Sequence, residues 1–490
     1  MTGLRSYMIE KWCFSIFEQK FSMLFELRLC NDALRNTQGT YPFMLNAYEH
    51  NLKMFNYRSN SICVKVIRQF ATIKPIVQLD PNVSNEIDHV SYKPRNHPGR
   101  VTLKRVTIPK HLITSIYNII EDYPIKSVIE ESKYLERYLQ TRQHPLEMSQ
   151  IQDIEKQIRE DIVSNTDCGH LTERHLQSIN DSVKSKLLQK IHNRSTVEYN
   201  VHNSLLYLLA RFAPEYAVLL QIFTEISTRD PDFKPRSLFD FGSGTGTVSW
   251  AAKHVWDKQL YEFFNVDSSS VMNDLAQLLI QGGGPTNQCN FKGIFFRQFL
   301  PANHIAYDLV VSAYTLMDLP TRKSRLQTLL NLWNKSINYL VLVERGTTSG
   351  FELINEARDF ILNLKNGHEG HVFSPCPHDE VCPKFINNIR CNFEVPYYSL
   401  PIGSVSQSSR EKYSYVVLKK ALRDKNNNNW PRLVEVPLVR SKHVICRMCT
   451  KQGKLDEIIF TSSKHGKVTY RCAKSSKWGD LLPISLTSES

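Results

Sequence analysis

Two kinds of hydrophobic pattern divide this chain. From about residue 108 to 230, apolar positions recur at helical spacing. Leu112, Ile116, Ile119 and Ile120 share one face, and so do Leu205, Leu208, Leu209 and Phe212, with Glu and Lys on the other faces. That periodicity predicts an α-helical domain. Pro214 predicts a break between two apolar helices, because proline lacks the N–H and crowds the preceding turn. From about 236 to 421, short apolar runs alternate with helical patterns, as βαβ units do. The predicted strands cover 237–241, 263–266, 294–297, 309–313, 339–343 and 413–418. After a polar loop at 426–429, residues 432–482 read as a small β meander with strands at 444–449, 457–461 and 468–472. Upstream, 75–107 is Pro-rich and basic (Lys93-Pro94-Arg95-Asn96-His97-Pro98-Gly99-Arg100) and reads as an extended surface arm.

The first glycine-rich turn of the βαβ region adds chemistry. Leu238-Phe239-Asp240-Phe241-Gly242-Ser243-Gly244-Thr245-Gly246 follows a predicted strand and precedes a predicted helix. Glycines are needed where a strand turns sharply and its backbone approaches a ligand, and the free N–H groups of the next helix point the same way. Asp240 closes the strand. Asp267 ends the next one, at the spacing at which an acid holds ribose hydroxyls. The Asp-x-Gly-x-Gly-x-Gly form and the strand number favour S-adenosylmethionine over a nicotinamide dinucleotide. The cofactor-binding candidates are therefore Asp240, Gly242, Gly244, Gly246 and Asp267. Catalysis has less support. The segment Ser312-Ala313-Tyr314-Thr315-Leu316-Met317-Asp318 has neither the prolines of a base-methylating loop nor a cysteine nucleophile. Asp318 and Glu344 are the available bases.

The predicted fold class is α/β. A class I (Rossmann-like) methyltransferase core spans 231–425, with a cysteine-rich insertion at 371–395. A basic arm and N-terminal α-helical domain precede it (76–230). A small basic β C-terminal module (430–484) and a tail (485–490) follow. Residues 1–75 read as a targeting segment or a gene-model extension. From Met54 to Thr72 there is no acid, and Arg58, Lys65 and Arg68 fall near one helical face, the make-up of a mitochondrial transit peptide. Met54 is then a candidate start.

There are eleven cysteines, in a chain long enough to fold without disulfide staples. Cys13, Cys30, Cys63, Cys168 and Cys289 follow no pattern. Cys376, Cys382 and Cys391 are irregularly spaced, and Cys446-x-x-Cys449 is the one close pair. A zinc ribbon needs two close pairs, whereas the thiolates of an iron–sulfur cluster can come from separate loops. The spacing favours iron–sulfur over zinc and leaves Cys446 and Cys449 competing for the fourth place. The formal net charge is +13, which favours a polyanionic partner. The excess is concentrated after residue 432, where Lys464, Lys467, Arg471, Lys474 and Lys477 are the candidate RNA-binding residues, with Tyr470 and Trp478 placed to stack a base.

These segments resemble a known family. The stretch Asp232 through Gly246, Pro375-Cys376-Pro377-His378, Cys382-Pro383, His443-Val444, Tyr470-Arg471-Cys472-Ala473 and Lys477-Trp478-Gly479-Asp480 closely resemble methyltransferase-like protein 17. That family comprises mitochondrial small-ribosomal-subunit assembly factors, and the resemblance covers about 200–483. It implies a monomeric mitochondrial matrix factor that binds the immature small subunit, contacting its rRNA and ribosomal proteins, with no membrane or DNA partner. It implies binding of S-adenosyl-L-methionine with methyl transfer weak or lost. It also implies a [4Fe-4S] cluster held by Cys376, Cys382, Cys391 and, by register with Gly453, Cys449 rather than Cys446. The rival reading is an active rRNA methyltransferase of the same subunit, and a third is a zinc-dependent nucleic-acid module.

Overall fold

The computed structural model describes residues 76–487 except 90–91, 165–172, 285–290, 302–304, 365–369 and 425–428. The targeting segment, the Met54 start and Cys13, Cys30, Cys63, Cys168 and Cys289 lie outside the described residues.

The described chain begins with β1 (Ile76–Leu79), α1 (Pro81–Asp88) and a 3-10 turn (Pro94–Asn96). The helical region follows as α2 (Lys110–Ile120), α3 (Ile125–Thr141), α4 (Met148–Ser164), α5 (Glu173–Ile191) and α6 (Val201–Arg229). The core runs β2 (Ser237–Phe241), α7 (Thr247–Trp256), β3 (Glu262–Val266), α8 (Ser270–Ile280), β4 (Ile294–Arg297), β5 (Tyr307–Ala313), α9 (Arg322–Lys335), β6 (Ser336–Arg345), α10 (Thr348–Leu362), β7 (His371–Ser374), α11 (Pro383–Ile386), β8 (Phe393–Tyr398) and β9 (Ser408–Lys419). The C-terminal module comprises β10 (Arg432–Leu433), β11 (Leu438–Val439), β12 (His443–Cys449), β13 (Leu455–Thr461), α12 (Ser462–His465), α13 (Lys467–Ser475) and β14 (Ile484–Thr487).

The core sheet has the order β4-β3-β2-β5-β6-β9-β7, with β8 also paired to β9. Neighbours from β4 to β6 are parallel, and β9 inserts antiparallel between β6 and β7. This is a Rossmann-type order that reverses direction at β2 and β5, with one inverted strand near the far edge. The fold is therefore α/β with a class I methyltransferase-type core and a helical N-terminal region. Helices α2, α3 and α6 and one face of the sheet share a single hydrophobic core. The pair α4 and α5 keeps a small one of its own around Ile158, Ile179 and Val183.

Three expectations change. Pro214 does not divide the helix, and α6 continues through it for 29 residues. Proline in a helix costs about 3 kcal/mol, but Phe212, Ala213, Tyr216 and Ala217 around it are buried, and their packing outweighs that cost. Helix α6 is long and apolar enough to span a bilayer, yet 89% of its apolar window is buried inside the protein, so it serves as a core helix. Residues 468–472, expected as a strand, form α13. Val468, Tyr470 and Cys472 alternate as strand residues do, but Thr469, Cys472 and Ala473 also lie at i, i+3 and i+4, and these are the three that are buried. The arm at 75–107 is not a free surface arm. β1 pairs antiparallel with β14, which takes up 485–487 of the expected tail. Val106 joins β8 through Val106 N–H to Pro396 O (2.9 Å) and Tyr398 N–H to Val106 O (2.9 Å). The Gln221 side chain on α6 bonds the backbone of both Val101 (2.6 Å) and Leu103 (2.6 Å).

The module is fastened to the core by Arg432, expected on the basic surface but 2% exposed. Its guanidinium donates to Glu225 of α6 (2.5 and 3.2 Å), Ser374 Oγ (3.1 Å), Pro375 O (3.0 Å) and Gly479 O (2.7 Å). Burial alone would raise the Glu225 pKa. Arg432 and Arg229 outweigh it and hold the carboxyl at about 2. A depressed folded-state pKa gives stability that is full above the unfolded carboxyl pKa and lost as pH falls through the folded one. Replacing Glu225 with Ala strands buried Arg432 without its carboxylate. We expect a loss of about 3–5 kcal/mol in denaturant unfolding at neutral pH, and a smaller difference from wild type near pH 2.

Candidate cofactor turn and cysteine cleft

The glycine turn follows β2 at the point where the sheet order reverses, the usual place for a nucleotide in such sheets. Gly242, Gly244 and Gly246 adopt φ of 74°, 48° and 75°, which L side chains rarely adopt. The N–H groups of Gly242 (2.7 Å) and Ser243 (3.0 Å) bond Val266 O and hold the turn against β3. A Cβ on Gly242 would lie 2.0 Å from Thr315 Oγ1, whereas one on Gly244 would meet nothing within 4 Å. The turn is thus closed behind Gly242 and open at Gly244. Asp267 accepts from Gly244 N–H (2.8 Å) and Ser269 N–H (2.9 Å), joining the turn to α8. Asp240 is fully buried, and neither carboxylate oxygen has a hydrogen-bond partner. Burial, and then the charge of Asp267, raise its pKa well above the carboxylate range. A buried carboxyl with no protein partner, beside a glycine turn that is open at Gly244, is a group that needs a hydrogen-bond partner from outside the chain.

The far side of the same crevice is filled by the chain itself. Asp318 pairs with Arg142, 2.6 Å away, just beyond α3. Arg142 also donates to Met317 O and Ser195 O. Glu344 accepts from Met317 N–H (3.2 Å), and burial, then the Asp318 charge, push its pKa to about 7. Tyr314, at φ 59°, lies with its ring 5.4 Å from the Arg211 guanidinium and 5.9 Å from that of Arg345. Arg211, fully buried on α6, binds Glu136 of α3 (3.0 Å), Glu215 (3.1 Å) and Glu411 of β9 (2.8 Å). Both candidate bases are therefore engaged within a polar network supplied largely by the helical region. Sequence reading missed Arg142 and Arg211 because Asp318, Glu136 and Glu411, which they bind, lie far along the chain.

Cys376, Cys382, Cys391 and Cys449 line one cleft, together with Lys384 and Arg432. Cys446 does not. It is fully buried in the module core beside Val444, Met448 and Phe460. Residues three apart on a strand point to opposite faces, so Cys446 and Cys449 on β12 cannot chelate together. Among the described residues, no three His, Cys, Asp or Glu side chains converge as a single-ion shell. Burial, then the neighbouring Cys376, push the Cys382 thiol up to about 11, and burial with the other sulfurs shifts Cys391 and Cys449 the same way. Arg358 and Lys384 bring positive charge to this crowded sulfur site. Arg358 braces the insertion through the carbonyls of His378 (3.3 Å) and Glu380 (2.6 Å), and Lys384 bonds Val434 O of the module (3.2 Å). His378 Nε2 lies 3.2 Å from Cys449 Sγ. The Pro-Cys-Pro-His run was a sequence signal for His378, but nothing in the sequence pointed to Arg358.

Lys464, Lys467, Arg471, Lys474 and Lys477 are all exposed, the first four on helices rather than a sheet and Lys477 in the loop after α13. Elsewhere in the module, Arg447 is paired with Glu435 (2.7 Å) and Glu457 (2.6 Å). Lys474 sits over Tyr470 (5.9 Å), while Trp478 packs against the main core.

Residues 201–483 match the family described as mitochondrial small ribosomal subunit Rsm22. The chain belongs to this family. It is 34% identical over 409 residues to the Homo sapiens ribosome assembly protein METTL17, mitochondrial, covering 82% of this chain and 88% of that one. It is 29% identical over 327 residues to the Schizosaccharomyces pombe Rsm22-cox11 tandem protein 2, mitochondrial, covering 58% and 42%. Among solved structures it is similar to a SAM dependent methyltransferase from Aquifex aeolicus, with 12% identity, a TM-score of 0.29, and coverage of 46% of this chain and all of that one.

The glycine turn yields a stability comparison. Gly242→Ala adds a steric clash to the strain of positive φ, and unfolding should show a loss of about 2–5 kcal/mol. Gly244→Ala, which meets open space, should lose only about 1–2 kcal/mol. Equal losses would contradict an open turn at Gly244.

Proposed function

We propose that this Rsm22-family protein is a mitochondrial ribosome assembly factor acting on the small subunit, that it binds small-subunit rRNA, and that it works by occupancy rather than methyl transfer. The observation that carries this reading is the 34% identity, over most of both chains, to a human mitochondrial ribosome assembly protein. The matrix is the compartment where such a subunit is built.

S-adenosyl-L-methionine fits the glycine turn. The unpartnered Asp240 carboxyl suits its ammonium, Asp267 suits ribose hydroxyls, and the open side of Gly244 leaves room for backbone approach. The acceptor side favours occupancy over chemistry. With Asp318 held by Arg142 and Tyr314 lying against Arg211 and Arg345, a target base has no unengaged catalytic group to meet. The rival, an active rRNA methyltransferase, requires that network to open. In a reconstituted assay, Gly244→Asp should abolish cofactor binding in calorimetric titration while assembly proceeds. Cofactor-dependent methylation of small-subunit rRNA by the wild type would instead establish the rival.

The cysteine cleft fits an iron–sulfur cluster of the [4Fe-4S] type better than a single zinc ion. Four thiols from two units surround it without forming a single-ion shell, and Arg358 and Lys384 offset thiolate charge. Cys376, Cys382, Cys391 and Cys449 would hold the group, which when bound cross-links the insertion to the module. Oxygen-free preparations should contain iron and labile sulfide. Cys449→Ser should lose both and Cys446→Ser should keep them, as read by metal analysis and visible absorption. Zinc in place of iron would overturn the assignment.

Lys464, Lys467, Arg471, Lys474 and Lys477 supply the phosphate contacts. Reversing Lys464, Lys467 and Arg471 to Glu should weaken rRNA binding and flatten its salt dependence by about 0.7–0.9 in log–log slope per lost phosphate contact. Salt-insensitive binding by the wild type would refute an electrostatic interface.

A further inference from the structure

We propose that the basic arm before α2 is part of the same nucleic-acid surface, with Lys93 and Arg95 extending the cationic face of α13 so that one RNA backbone is gripped by both. This rests on the RNA-binding reading above and goes beyond it in adding residues more than three hundred positions away in sequence.

The structure fixes the arm to the helix at several points. The 3-10 turn Pro94–Asn96 packs directly on α13. His97, 1% exposed, bonds Ser476 Oγ just past the end of α13 (2.9 Å). Leu481 N–H donates to Gly99 O (2.8 Å). A Cβ on Gly99 would sit 2.1 Å from Leu481 O, so the two backbones are in close apposition. Asp480, fully buried, accepts from Val101 N–H (3.0 Å) and Thr102 N–H (2.9 Å) of the arm, and from Lys477 N–H (2.8 Å) of its own loop. The arm is therefore held rigidly against the end of α13.

The side chains that this docking leaves outward are cationic. Lys93 and Arg95 are exposed, as are Lys467, Arg471 and Lys474 on the helix. Among the described residues none of the five forms an ion pair. Neither the 3-10 turn nor α13 carries an acid, and Asp480 beside them is engaged by the backbone of Val101, Thr102 and Lys477. Lys467, Arg471 and Lys474 stand at i, i+4 and i+7, a span of about 10 Å along the helix. That matches about three phosphates of one strand at 3.4 Å of axis each. Lys93 and Arg95, on the abutting turn, carry the charge past the helix. Such geometry suits phosphate recognition without base reading.

The test uses the full-length protein, a fluorescently labelled transcript of mitochondrial small-subunit rRNA, and anisotropy titrations over a salt series. Lys93→Glu with Arg95→Glu should weaken binding at least about tenfold near 0.1 M salt and lower the log–log salt slope by about 1.4–1.8. The midpoint of thermal unfolding should not change, because both side chains are exposed. Lys467→Glu, Arg471→Glu and Lys474→Glu together should behave alike and more strongly. An arm variant with wild-type affinity and slope, beside a weakened helix variant, overturns the composite surface and leaves the RNA reading standing. Wild-type binding by both variants overturns the RNA reading itself. Should the arm variant lower the thermal midpoint, Lys93→Ala with Arg95→Ala replaces it, and an unchanged salt slope there also overturns the proposal.

Discussion

The buried pair between Arg432 and Glu225 joins three parts of this molecule at one point. Glu225 belongs to the central helix α6, Ser374 and Pro375 open the cysteine insertion, and Arg432 and Gly479 belong to the module. Two charges buried this deeply are expensive unless each is fully bonded, and here the guanidinium is. The arrangement therefore tolerates little displacement of any partner. Because Arg432 also lines the cleft of Cys376, Cys382, Cys391 and Cys449, the positions of the sulfurs and the seating of the module are set by the same contact. A group held by those thiols would reinforce an alignment the protein already makes.

The two sides of the Rossmann-type core differ in what meets them. The glycine turn retains the open approach and the orphaned Asp240 that a nucleoside ligand would complete. Across the crevice, α3, the residue after it and α6 send Glu136, Arg142, Arg211 and Glu215 to the ends of β5 and β6. A buried network with this many ionised members is stable only while nearly all of them are satisfied. The helical region thus does more than precede the core in sequence. Its charged side chains pair with residues at and after the ends of β5 and β6.

Local features were the legible ones. β2, β3 and β5 are buried parallel strands, which read as continuous apolar runs. The glycine turn carries its geometry in four or five successive residues. β7 and β8 escaped notice because they are short and mixed, and the first half of β9 is polar because it pairs only with β8 at an edge. The choice between Cys446 and Cys449 needed the knowledge that both lie on β12, where strand parity separates them. The reading of 468–472 as a strand failed because a period of two and a period of 3.6 both fit so short a segment, and packing on Pro94–Asn96 selected the helix. No local pattern announces the bond from Arg432 to Glu225 or the clamp of Asp480 on Val101 and Thr102, since each partner lies hundreds of residues off.

The pairing of Ile76 with Thr487 has a consequence in time. β1 is among the first described residues to be synthesised, and its partner β14 is the last. Val77, Leu79 and Ile87 pack against the same cluster as Leu482, Ile484 and Leu486. This hydrophobic cluster therefore cannot close before its last strand is synthesised. It must wait until β14 has been made, with β1 left without its partner strand until then, and long-range closure of this kind is slow. These two segments become one unit only once both have been made, so a chain truncated before β14 should leave β1 without its partner strand.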